Sequence, residues 1–223
     1  MNDLIYFLLI LILPIIAHLG VTLTFKKYSK VASSRGYTAE QVARQILDSN
    51  GLYNVRIESV SGNLSDHYSP KENVVRLSDS VYGQRSIAAI GVAAHECGHA
   101  CQHAEEYAPV MIRTAIVPAV NICSKWWYIV LVLSLSIFGT INFLTYIAIA
   151  MFGAVVLFQL VTLPTELDAS HRALKTLEGQ YILVDDEIPK ARKVLTAAAM
   201  TYVTALVTSI MQLMRLLLRV RRK

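Results

Sequence analysis

The chain has 223 residues, 54% of them hydrophobic, with 21 Lys and Arg against 16 Asp and Glu. That length suits one modest domain or a small water-facing part joined to membrane spans, and a mean hydropathy of +0.45 is too high for an ordinary soluble protein. The net charge of +5 calls for no nucleic-acid partner, because Lys26, Lys27, Lys30 and Arg35, with Arg215, Arg219, Arg221, Arg222 and Lys223, flank apolar runs where cations meet lipid headgroups.

The first such run, Leu4 to Phe25, stops at Lys26 and Lys27. About 20 apolar residues cross the hydrocarbon layer, so residues 1–25 are expected to form a transmembrane helix. A cleaved signal peptide fits worse, because Asp3 is the only charge in front of the run and no small-residue cleavage pattern follows. By the positive-inside rule the Lys26 side is cytoplasmic. The basic C-terminal tail pulls the other way, since four full crossings would return it to the outer side.

Thr38-Ala39-Glu40-Gln41 resembles a capping box, Val42, Ile46 and Leu47 form an apolar stripe, and Gly51 is a natural stop. A short amphipathic helix is expected there. Two strand-like pieces follow, Asn54 to Val60 and Asn73 to Leu77, read as a β-hairpin through Ser61-Gly62-Asn63 and Ser69-Pro70-Lys71. The second strand either holds an extended peptide by its main chain or merely covers the next helix.

That helix, Ser86 to Ala104, carries the most informative stretch of the chain, His95-Glu96-Cys97-Gly98-His99. Residues four apart share a helical face, so both imidazoles can grip one Zn2+ ion, with Glu96 beside the metal-activated water as general base. Chance supplies such a pentad in on the order of one in a hundred sequences of this composition. Cys97 and Cys101 point away from the histidines and read as small thiols packing the back of the helix. The three cysteines, an odd number, suggest no disulfide framework.

Residues 110–123 read as an apolar connection kinked at Pro118. Trp126 to Pro164 is too long for one span, and Gly139-Thr140-Ile141-Asn142 offers a turn, so residues 126–164 are expected to be a transmembrane helical hairpin with Trp126, Trp127 and Tyr128 at the interface. Residues 194–223 form a fourth transmembrane or membrane-associated helix with a basic tail. Between them, residues 165–193 should supply what the pentad lacks, because a catalytic zinc usually takes a third protein ligand. His103 shares the face of His95 but lies about 12 Å along the helix, too far for the same ion, and is placed as a support or cleft residue. Glu166 returns to the side of the pentad if the hairpin crosses twice. The rival reading makes it an acidic residue favoured by a helix N-terminus. Asp168 or Ser170 would orient a ligand, while His67, Tyr68, His171 and Arg172 are candidate oxyanion donors or plain packing residues. Glu178, Asp185, Asp186 and Glu187 read as a solvated loop.

Taken together, Asp66-His67-Tyr68-Ser69-Pro70, Val75-Arg76-Leu77-Ser78, Ala93-Ala94 with the pentad, Gln102-His103-Ala104, and Phe158 to Pro164 running into Glu166-Leu167-Asp168-Ala169-Ser170 resemble the bacterial membrane-bound neutral zinc metallopeptidases of the YugP type. More distantly, the layout is similar to the HtpX-type and CAAX prenyl protease families. Those carry E-x-x-A-D with a glutamate third ligand, where this chain has Ser170 at the fifth place and its acid at Asp168.

The resemblance implies a mainly α, integral-membrane fold with about four transmembrane helices and a small zincin-like α+β part within residues 26–125. It also implies one catalytic zinc on His95, His99 and Glu166, and protein or peptide substrates, possibly membrane proteins. The expected protein is a multi-pass membrane zinc endopeptidase whose active site faces the cytoplasm. Two alternatives stand beside it: a non-catalytic membrane adaptor with a structural zinc, and an intramembrane protease with Asp168 as third ligand. Oligomeric state is not legible.

Overall fold

The structure, a computed structural model, describes residues 3–184 and 186–221, without the side chain of Asp3. Asp185 of the polar loop, with Arg222 and Lys223 of the basic tail, lies outside the described residues. The elements in chain order are α1 (Asp3–Tyr28), α2 (Ala39–Ser49), β1 (Arg56–Val60), β2 (His67–Ser69), β3 (Val74–Ser78), α3 (Ile87–Ala104), α4 (Ala108–Phe138), α5 (Phe143–Gly179) and α6 (Ile188–Arg221). Four of the helices, α1, α4, α5 and α6, are long and apolar enough to cross a membrane. The protein is a mainly helical membrane protein with a small α+β part.

The chain divides into two compact units. The first comprises Met1–Ile16, Ala108–Pro164 and Thr201–Lys223. Its surface is apolar: Phe7, Leu11, Ile137 and Phe143 are all exposed, which suits a lipid surround and no aqueous one. α4 begins at Ala108, so residues 110–123, expected as a connection, belong to the helix and Pro118 lies within it. An apolar environment rewards an unbroken hydrogen-bonded helix strongly enough to tolerate a proline.

The turn expected at residues 139–142 is present. Gly139 takes a left-handed φ of 64°, which a side chain would resist. Asn142 then starts α5, its Oδ1 accepting the Leu144 N–H at 2.8 Å and the Ser134 hydroxyl at 3.0 Å. The Ser134 Oγ also lies 2.8 Å from the Thr145 Oγ1. Further along, Trp127 stacks on Phe152 at 4.3 Å between ring centroids, and Val156 and Leu206 pack with Phe152.

The second unit comprises Ala17–Tyr107 and Thr165–Met200. Val42, Ile46 and Leu47 of α2 are buried with Val75 and Leu77 of β3, Ile87 and Ile90 of α3, and Leu177 of α5. The Gln41 side chain accepts the Thr38 N–H at 3.0 Å, which is half of the expected capping box, and Ser86 caps α3 by accepting from the Ala89 N–H at 3.2 Å.

The sheet corrects the expected hairpin. Its order is β1-β3-β2, and the two foreseen strands, β1 and β3, run parallel. β2 carries the chain back antiparallel to β3, because two parallel neighbours need a return path that a tight turn cannot give. The Asp66 carboxylate fastens this return over the end of β3, accepting from the Ser78 N–H at 2.7 Å and the Ser78 hydroxyl at 2.9 Å. β3, expected as the open peptide-holding strand, is therefore central and paired on both sides. The edge strand packed against α3 is β2.

The solvated-loop reading of Glu178, Asp186 and Glu187 also needs correction at two positions: Glu178 is exposed but belongs to the last turn of α5, and Glu187 is buried. Glu187 is only 2% exposed. Its Oε1 accepts the N–H of Ser34 at 2.6 Å and the Ser34 hydroxyl at 2.8 Å, and its Oε2 accepts the Val184 N–H at 3.0 Å. Asp186 instead pairs with Lys190 at the surface, 2.7 Å away.

Candidate metal centre

α3 is built from small residues, with Ala88, Ala89, Ala93, Ala94, Cys97 and Ala100 all buried, so neighbouring helices can come close. The closest approach is at Gly98, where a Cβ would stand 2.7 Å from the Ala169 carbonyl oxygen and 3.2 Å from the Ala169 Cα. Only glycine leaves room there. The contact brings one face of α5 against the pentad: Ala169 packs on Gly98, Glu166 sits one turn before it and Ser170 one residue after.

The back of α3 is apolar and inert, as expected for the cysteines. Cys97 donates weakly to the Ala43 carbonyl at 3.6 Å. Burial pushes its thiol well above the ordinary range, and that of Cys101 up to about 11.

On the front face the His95 and His99 rings meet edge to face, 4.8 Å between centroids. Each ring is held by its Nδ1. The Ser170 hydroxyl lies 3.1 Å from the His95 Nδ1, and the Gln102 Oε1 lies 3.0 Å from the His99 Nδ1. Both Nε2 atoms are thereby turned toward Glu166, whose Oε2 is 3.3 Å from that of His95 and 3.5 Å from that of His99. The three ligand atoms lie within 4.8 Å of one another, and Glu166 is only 3% exposed.

Gln102 fixes the proton on His99. Its Nε2 donates to the Thr165 carbonyl at 2.8 Å and to the Asp168 Oδ2 at 2.8 Å, so its Oε1 must be the atom facing the ring. An amide oxygen only accepts, hence the His99 Nδ1 carries the hydrogen. In the neutral ring the Nε2 then offers a bare lone pair to a carboxylate oxygen that is also an acceptor. Two acceptors at that distance need either a proton on the Nε2 or a metal ion between them. Burial works against a charged His99, but the hydrogen bond to Glu166 and the charges of Glu96 and Glu166 outweigh it and raise its pKa above the ordinary value.

The separations suit zinc. Ligands about 2.0–2.1 Å from a tetrahedral ion stand about 3.3–3.4 Å apart, against the 3.3 and 3.5 Å found here. Two imidazoles and a carboxylate are also a donor set of catalytic zinc, with outer partners on both rings. Glu96, next to His95, is 8% exposed, and no hydrogen bond or ion pair among the described residues ties up its carboxylate. A carboxylate so placed is open to a hydrogen-bond donor beside the histidines.

The remaining candidates separate cleanly. Asp168 does not approach the cluster as a ligand; it holds Gln102 and accepts from the Arg172 Nε at 2.5 Å, while the Arg172 Nη1 reaches Glu105 at 2.7 Å. His103 stands against the Tyr68 ring, 5.6 Å between centroids, which puts β2 beside the cleft helix. The Tyr68 hydroxyl donates to the Asn73 Oδ1 at 3.3 Å. His67 is exposed, its Nδ1 2.9 Å from the Ser65 carbonyl in its own turn, and His171 is exposed on α5. Sequence reasoning gave Gln102 no role. The available signal was its spacing, three residues beyond His99 on the same helix.

A family model described as "putative neutral zinc metallopeptidase" matches residues 3–221. The chain is also 46% identical over 199 residues, 89% of its own length and 88% of the relative's, to a Bacillus subtilis (strain 168) protein named "Putative membrane protease YugP". No solved structure matches the chain.

Proposed function

The chain belongs to the neutral zinc metallopeptidase family, and on that premise we propose that it is a membrane-embedded endopeptidase that hydrolyses peptide bonds with Glu96 as general base. His95 Nε2, His99 Nε2 and the Glu166 carboxylate are the ligands. Zinc bound there would supply a Lewis acid and a water of lowered pKa. Glu96 takes the proton from the attacking water and delivers it to the leaving amine nitrogen. Ser170 and Gln102 keep the two imidazoles turned inward, and their hydrogen bonds hold the rings in place through the reaction.

The observation that carries this reading is the pair of Nε2 to Oε2 separations, 3.3 and 3.5 Å, which match the ligand-to-ligand spacing around one tetrahedral zinc. Substrates are proteins or peptides. An extended segment is best presented along the outer edge of β2, which packs against α3 and has main-chain groups to offer. The Lys26 side is cytoplasmic, and the centre faces it.

Metal analysis of the purified protein and of Glu96→Gln tests the chemistry. One zinc per chain in both, with cleavage of a broad peptide panel confined to the unsubstituted protein, is the expected result. Zinc in both and cleavage by neither would make the site structural. Protease protection of the Glu105-Glu106 turn in oriented vesicles tests the sidedness: cleavage from the cytoplasmic face is expected, and cleavage from the outer face alone would reverse it.

A further inference from the structure

A second site lies in the same unit as the metal centre and shares no residue with it. The last turns of α1 and the first turns of α6 bound a groove of about 560 Å³, lined by Lys27, Arg192 and Lys193 together with Leu23, Tyr28 and Ala197. We infer that this groove binds the headgroup of an anionic phospholipid, its phosphate held by the three cations.

Three observations converge. Lys27, Arg192 and Lys193 are exposed, and none enters an ion pair among the described residues. The acids nearest on the chain are already engaged, Asp186 by Lys190 and Glu187 by Ser34. Three like charges around one concave surface repel one another until an anion joins them.

The groove also sits where two apolar runs begin or end. Leu4 to Phe25 stops just before Lys26, and on α6 the residues after Lys193 are Val194 and Leu195. Leu23, one turn before Lys27, is 64% exposed. A free phosphate would use only the cations, whereas a phospholipid uses both parts: its phosphate meets Lys27, Arg192 and Lys193, and its glycerol and upper acyl carbons cover Leu23 and Ala197. Basic pockets between membrane helices are suited to such headgroups, each cation being worth roughly a fivefold gain in binding.

The test uses the full chain purified in a neutral detergent and titrated with dihexanoyl phosphatidylglycerol, with dihexanoyl phosphatidylcholine and inorganic phosphate in parallel, thermal unfolding being the readout. Phosphatidylglycerol is expected to raise Tm saturably, phosphatidylcholine about tenfold more weakly or worse, and phosphate not at all over the same range. Combining Lys27→Gln, Arg192→Gln and Lys193→Gln should weaken the phosphatidylglycerol response about 10- to 100-fold. Removing three exposed cations elsewhere, by Arg56→Gln, Lys71→Gln and Lys175→Gln, should leave it intact. If the triple variant does not fold, Lys193→Gln alone should weaken binding about fivefold. Equal responses to the two lipids, a matching response to phosphate, or undiminished binding by the groove variants would each overturn the assignment.

Discussion

Two partly buried polar clusters serve the chain in opposite ways. At the α4–α5 turn, Ser134, Asn142 and Thr145 satisfy one another with neutral donors and acceptors, and the cluster is complete as it stands. At the α3–α5 contact, Gln102, Thr165, Asp168 and Ser170 are equally well satisfied, yet they bring two imidazole nitrogens and a carboxylate oxygen together as a set able to hold a metal ion. A finished network marks a structural joint. A network that gathers three metal-binding atoms at one point marks a place where an ion can bind.

The comparison can be broken at four points. Glu166→Ala has the largest expected effect: with one of three ligands gone, zinc retention after dialysis should fall by more than the roughly 100-fold typical of outer partners, and peptidase activity with it. Unchanged zinc content would remove Glu166 from the ligand set. Gln102→Ala leaves all three ligands in place but frees the His99 ring, so zinc affinity should drop about 10- to 100-fold, measured by competition with a chelator. Should Gln102→Ala bind zinc as tightly as the unsubstituted chain, the amide is only packing.

Gly98→Ala acts through distance. The added methyl meets the Ala169 backbone, and overpacking of this kind costs about 1–3 kcal/mol. Both Tm and zinc affinity should fall together, because the shift that relieves the clash also withdraws Glu166. Ser134→Ala sharpens the contrast from the other side. It strips a partner from Asn142 and Thr145 at a cost of about 1–2 kcal/mol, lowering Tm while zinc content and activity stay unchanged. An effect of Ser134→Ala on metal binding would abolish the distinction between the two clusters.

The sequence announced the elements whose causes are local. Long apolar runs predict spans because a bilayer demands them, Ser86 marks the start of α3 because its side chain caps it, and the pentad names two candidate ligands by helical spacing alone. Glu166 was reachable by a topological argument, since the hairpin returns the chain to the starting side. What escaped depends on partners distant in sequence. The parallel pairing of β1 with β3 is decided by where the chain returns, and β2 has three residues, too few to advertise itself. Glu187 sits in a polar stretch and gives no sign that Ser34, 153 positions away, will bury it. Gln102 looks like any polar residue on a helix until Thr165 and Asp168 arrive to orient its amide.

The arrival of α5 has a further consequence for the order in which the protein is made. Glu166, Ser170 and the two residues that orient Gln102 all lie on one short stretch of α5, and the ribosome synthesises that stretch long after the pentad. A nascent chain that has exposed only α3 carries two unrestrained imidazoles and no carboxylate to complete them. The candidate metal centre therefore gains its carboxylate only when the returning helix seats on Gly98.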